Sequence, residues 1–129
     1  MSDIRANKIS NESGNGPINL TGQSAAKAWV HFDGTAVTAD ADLTGVGNSL
    51  NISSVRDNGV GNYTVIYSNS MDSNWYSPSG WANGSGFSNA FATGGARPTT
   101  SELRMRINNS AFDYTDSNVV CLTINGDLA

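Results

Sequence analysis

The sequence predicts an all-β domain, an antiparallel β-sandwich or jelly-roll-like knob preceded by a short extended N-terminal arm. Three observations carry this expectation. Short runs of alternating apolar and polar residues recur along the chain; turn signals separate them every eight to twelve residues; and no stretch shows the 3.6-residue period of an amphipathic helix. The composition agrees, since 38% hydrophobic residues with abundant Gly, Ser and Asn suit short strands joined by many turns.

The clearest stretch is Leu50 to Tyr67, LNISSVRDNGVGNYTVIY. Asn58-Gly59 tolerates positive φ and Gly61 can host a bulge, so the chain is expected to reverse there as a hairpin. Tyr63, Val65 and Tyr67 then share one face and Thr64, Ile66 and Ser68 the other, with Leu50 and Ile52 sharing a face across the turn.

Residues 1–26 are polar with sporadic apolar side chains, and read as an attachment arm in which Ile4, Ile9, Ile18 and Leu20 pin the segment to a neighbouring surface. Residues 27–129 form the knob. Lys27 to Asp33, KAWVHFD, reads as a strand with large side chains on both faces, either central or facing another subunit. Asp33-Gly34 ends it, and Thr35 to Thr38 is expected to return as its hairpin partner before a loop from Ala39 to Gly47. From Asn69 to Thr100 alternation gives way to aromatic residues among Gly, Ser and Asn, which reads as irregular strands with long tips. Glu102 to Asn108 and Val119 to Ile124 are the late strands. In the former, Arg104 and Arg106 occupy a solvated face; in the latter, Cys121 is expected in the core as a small hydrophobe.

The charge balance narrows the function classes. A net charge of −4, with seven scattered basic residues, argues against a nucleic-acid partner. No 18-residue apolar run or signal-peptide core is present, so synthesis in a cytoplasm and no membrane insertion are expected. One cysteine allows no intrachain disulfide, and His31, the single histidine, has no carboxylate or thiol at metal-ligand spacing. No cofactor, metal site or catalytic triad is expected. Asp40 with Asp42, and Asp113 with Asp116, have the residue type of a glycosidase pair, but in Asn- and Thr-rich loops such carboxylates cap turns.

Three segments together resemble a known family. AAKAWVHFDGTA (25–36), LNISSVRDNGVGNYTVIYSNSM (50–71) and VVCLTI (119–124) resemble a domain common at the C-termini of bacteriophage tail fibre and other virion proteins. The matching positions are Lys27, Ala28, Trp29, Val30, Phe32 and Gly34; Asn51 to Val65; and Val119 to Cys121. The resemblance implies a non-enzymatic virion surface module, generally homotrimeric. Such domains usually cap a long shafted chain, so here the expectation is docking on a tail or capsid through residues 1–26, or a shaft supplied by a separate protein. A capsid decoration or cement protein and a non-catalytic carbohydrate-binding module are the alternatives.

Three groups of side chains follow as candidate sites. Trp75, Tyr76, Trp81, Phe87 and Phe91 are candidates for contact with a receptor, such as a host surface glycan, or with a protein partner, because aromatic rings stack on sugar faces while Asn and Ser supply hydrogen bonds; the alternative is that Trp75, Trp81 and Phe87 fill the core or a trimer axis. Trp29, His31, Tyr63 and Tyr67 are candidates for a subunit interface, since a two-layer sandwich covers only one face of each sheet. The arm residues named above are the candidates for virion attachment.

Overall fold

A computed structural model describes residues 26–83, 90–93, 98–109 and 111–129, the second of these segments through its backbone. Of the expected arm, residues 1–25 lie outside the described residues, as does Phe87, while its last residue, Ala26, opens the first strand. Eight strands make two four-stranded antiparallel sheets: β1 (Ala26–Phe32), β2 (Val46–Leu50), β3 (Ile52–Asp57), β4 (Asn62–Tyr67), β5 (Ser77–Asn83), β6 (Ala90–Thr93), β7 (Glu102–Asn108) and β8 (Val119–Asn125). Sheet A has the order β2-β1-β8-β5 and sheet B the order β3-β4-β7-β6. The expected all-β sandwich is what forms.

Period-2 alternation places the core. Ala28, Val30 and Phe32 of β1 and Val120, Leu122 and Ile124 of β8 face Val55 of β3, Tyr63, Val65 and Tyr67 of β4, and Leu103, Met105 and Ile107 of β7. Full burial of each large aliphatic side chain contributes about 1.5–3 kcal/mol, so these five strands carry most of the hydrophobic stabilisation. Phe32 and Tyr63 meet edge-on across the layers, with ring centroids 5.3 Å apart. Pro78 sits in β5, an edge strand, where its missing N–H removes no central ladder bond.

The hairpin forms with its tip at 58–61. Gly59 and Gly61 take φ of 114° and 62°, and Asp57 Oδ1 accepts from Gly59 N–H at 2.7 Å. Leu50 and Ile52, however, do not share a face. The run breaks at Asn51, whose φ of 56° is a left-handed conformation that Asn tolerates, and the chain crosses there from sheet A to sheet B. Asn51 Oδ1 accepts from Asn69 N–H at 2.7 Å and its Nδ2 donates to Asn69 O at 3.0 Å, which holds the corner. Leu50 is consequently exposed and Ile52 buried.

Thr35 to Thr38 does not pair with β1 either; β2 does, with Trp29 opposite Leu50 and His31 opposite Asn48. The intervening segment leans on the outer edge of sheet B instead. Thr38 O accepts from Asp57 N–H and Asp42 O from Val55 N–H, both at 2.8 Å, so part of the free edge of β3 is satisfied.

One end of the sandwich is tied by a part-buried polar node. Asp116 Oδ1 accepts from Tyr63 Oη and from Gly61 N–H, each at 2.7 Å. Tyr63 Oη also lies 3.1 Å from Gly34 O, and Gly34 N–H donates to Ser117 O at 2.8 Å. The loop after β1, the hairpin tip and the segment before β8 therefore converge on one tyrosine hydroxyl.

Gly61 is more constrained than Gly59. A Cβ on Gly61 would lie 2.6 Å from Ile107 O and 2.7 Å from Thr115 N, whereas one on Gly59 meets nothing within 4 Å. Gly59→Val is expected to lose about 1–2 kcal/mol from backbone strain alone. Gly61→Ala should lose more than Gly59→Ala, measured by urea denaturation; equal losses would mean that the packing around Gly61 yields freely.

Burial raises the pKa of Tyr63, of Tyr67 and of Tyr76 above the ordinary value of 10.0, with the hydrogen bond to Asp116 adding to the effect at Tyr63. The folded chain thus holds these protons where the unfolded chain releases them. Their contribution is complete below pH 10 and is lost above it, at up to about 1.4 kcal/mol per pH unit for each tyrosine. Urea midpoints measured from pH 8 to pH 12 should fall above about pH 10, and Tyr63→Phe should make that fall shallower.

Candidate functional site

The aromatic residues of 75–91 do not form one site. Tyr76 belongs to the core: it is buried, its ring packs edge-on against Tyr67 at 5.8 Å, and its hydroxyl lies 3.1 Å from both Thr99 O and Glu102 O. Trp75, its neighbour in sequence, is 90% exposed. It lines a cleft of about 390 Å³ with Asn74, Tyr76 and Pro98. Trp81 lies on β5, which places it on the outward face of sheet A. Phe91 stands opposite Ile107 in the β6–β7 register, and its side chain lies outside the described residues. A loop reading treats these residues as equivalent, but two of them sit at strand positions, and the Tyr76 hydroxyl finds backbone acceptors on the inner side.

The interface candidates divide in the same way. Tyr63 and Tyr67 are buried within the single chain, at 0% and 6% exposure, so they do not reach a subunit surface. Inward register on β4 explains this, because the aromatic pair fills the space between the sheets. Trp29 and His31 do point outward, and register shows what joins them. One row across sheet A reads Leu50, Trp29, Thr123, Ser79 and the next reads Asn48, His31, Cys121, Trp81. Cys121 is therefore half-buried on the outward face and not in the core.

These two rows contain no Asp, Glu, Lys or Arg. Neighbouring strands lie about 4.8 Å apart, so the rows span roughly 14 Å across the sheet. Within them Leu50 is 48% and Trp81 58% exposed. A surface of this kind, apolar with small polar groups and without charge, is suited to burial against another protein surface. Sequence alternation identified Trp29 and His31. Leu50, Cys121 and Trp81 join them only through cross-strand register, which no single strand reveals.

One carboxylate of each pair has a structural partner. Asp42 accepts from Thr44 N–H at 2.8 Å and from Thr44 Oγ1 at 3.0 Å, closing a turn, and Asp116 is engaged in the Tyr63 node. Asp33 makes the corresponding turn with Thr35. Among the described residues no group of three His, Cys, Asp or Glu side chains could hold a metal ion.

Surface and core aromatics should respond differently to truncation. Trp75→Ala and Trp81→Ser are each expected to change the unfolding free energy of the single folded chain by no more than about 0.5 kcal/mol. Tyr76→Ala should cost about 3–5 kcal/mol, because it empties a packed site and removes the hydroxyl that bonds the backbone carbonyls beside it. Chemical denaturation of the three variants checks this division.

Family models, curated proteins and solved structures were compared with the chain, and none matches.

Proposed function

We propose that this chain is a non-enzymatic structural protein of a bacteriophage virion surface, a trimeric knob of a tail fibre or receptor-binding tip. The observation that carries the reading is the pair of uncharged outward rows of sheet A, in which Trp29, Leu50 and Trp81 lie. Packing that face against other copies removes the aromatic surface from water, and closed symmetry leaves none of it unpaired. Trp29 and His31 are its central contacts. Residues 1–26, through Ile4, Ile9, Ile18 and Leu20, attach the knob to its neighbour in the virion.

The segments that resemble virion proteins support the reading at the level of the fold. Their residues hold the architecture: Gly59 and Gly61 turn the hairpin, Tyr63 joins the two sheets, and Gly34 accommodates the Tyr63 hydroxyl. Capsid decoration is the second reading, because the same face would serve equally well against a shell.

Sedimentation equilibrium at micromolar concentration is expected to show a trimer. Replacing both outward tryptophans, Trp29→Ser with Trp81→Ser, should return it to the 13.5 kDa monomer while the hairpin and core stay folded. A wild-type chain that sediments as a monomer would sink the oligomeric part of the proposal. Imaging of virions labelled for this protein tests the rest: label at the tail tip supports the knob, label on the head supports decoration, and unlabelled virions remove both.

A further inference from the structure

The outward face of sheet B has a different chemistry from that of sheet A. Seven basic residues occur in the whole chain, and three of them, Arg56, Arg104 and Arg106, share this face. Arg56 stands opposite Thr64, Thr64 opposite Arg104, and Arg106 opposite Asn62. From strand geometry, the Cα atoms of Arg56 and Arg104 are roughly 10 Å apart and those of Arg104 and Arg106 about 7 Å. A chain with net charge −4 has thus gathered positive charge in one small area.

Neutral partners orient two of these guanidinium groups. Arg104 Nε donates to Asn62 Oδ1 at 3.0 Å. Arg106 Nη1 donates to Tyr114 Oη at 2.8 Å, and its guanidinium carbon lies 5.1 Å from the centre of the Tyr114 ring. Arg106 Nε is buried with no partner among the described residues. Such contacts fix the direction of a guanidinium without neutralising it, which leaves planar donors ready for a carboxylate.

Beside the arginines stand two aromatic side chains. Tyr114 is 47% and Phe112 80% exposed. Phe112 has φ 66°, a left-handed conformation that costs a bulky residue on the order of 1–2 kcal/mol. The loop enforces it: Asn109 Oδ1 accepts from the N–H groups of Ala111 and Asp113, and Phe112 N–H donates to Asn109 O. Asn108, the next outward position of β7 after Arg106, donates through Nδ2 to Phe112 O at 3.4 Å. An aromatic side chain is therefore held in solvent in the loop that leaves the arginine strand, at a cost in backbone strain that its own packing does not recover.

We propose that this face, centred on Arg104 and Arg106 and flanked by Phe112 and Tyr114, binds an acidic polysaccharide. The arginines pair with the sugar carboxylates, and the aromatic rings stack on the apolar faces of the sugars. Two carboxylates of the protein limit the patch, Glu102 in the same outward row of β7 and Asp113 in the loop beyond it. They disfavour densely charged polyanions and leave room for a polymer whose charges are spaced by sugar rings. The inference does not depend on whether sheet A binds a second copy.

Affinity electrophoresis of the full chain in gels containing polygalacturonate tests it, with the methyl-esterified polymer, polyglutamate and duplex DNA as the other arms. Retardation by polygalacturonate and not by its ester is expected, with at least a tenfold loss of affinity in Arg104→Gln and in Arg56→Gln, and a smaller loss in Phe112→Ser. Melting temperatures of the variants separate lost contacts from lost folding, and Arg56→Gln decides the matter if the β7 variants are destabilised. No retardation, retardation by polyglutamate or DNA as strong as by polygalacturonate, or retention of full affinity in folded arginine variants would overturn the proposal.

Discussion

The contact between Tyr63 and Asp116 is the constraint on which one end of this protein depends. The Tyr63 ring belongs to sheet B and packs against Phe32 of sheet A, so the same residue provides an apolar bridge between the layers and a polar anchor at their margin. Its hydroxyl requires a partner because burial of an unpaired phenol costs about 1–3 kcal/mol. Asp116 meets that need and in the same stroke accepts from Gly61 N–H, which fixes the hairpin tip. Gly34 is required beside them, since a Cβ there would come within 2.5 Å of Tyr63 Oη. Hairpin, first-strand loop and last connection are therefore positioned by one another, and three loops separated widely in sequence behave as one end of the domain.

With that end fixed, the two sheets present unlike surfaces. Sheet A turns outward two rows without charge, bearing Trp29 and Trp81. Sheet B turns outward Arg56, Arg104 and Arg106, interleaved with Asn62 and Thr64. The inner faces are alike in being apolar, so the difference lies wholly in the alternate positions of the strands. A surface without charge loses little when it is buried against protein, whereas oriented guanidinium groups lose strong hydration unless an anion replaces it. The division of labour proposed for the two faces follows from this asymmetry: association through one and ligand capture through the other.

The opposite end is closed by different means. Tyr76 caps two carbonyls at the start of β7, while Met71 bridges to Leu128 and is buried beneath the C-terminal residues. This closure leaves Trp75 outside. A buried and an exposed aromatic side chain thus stand next to each other in sequence, separated by whether a backbone acceptor awaits the side chain.

The sequence by itself determined the fold class, the hairpin tip and which side chains share a face, because strand alternation and positive-φ residues are local signals. Tyr63, Val65 and Tyr67 share one face by period alone, as do Leu103, Met105 and Ile107, and Gly59 and Gly61 turn where Asn58-Gly59 announces a turn. The tertiary structure decided what depends on register between strands distant in the chain. Only pairing of β1 with β2 and β8, and of β8 with β5, brings Leu50, Trp29, Cys121 and Trp81 onto one surface, and only pairing of β4 with β3 and β7 aligns Arg56 with Arg104. The break at Asn51 belongs to the same class, because a continuous alternating run carries no mark of the residue at which it leaves one sheet for the other. The side chain of Tyr67, read as a subunit contact, and that of Cys121, read as core, exchanged places for this reason: alternation states that two faces exist, and the packing of the second sheet determines which of them is inside.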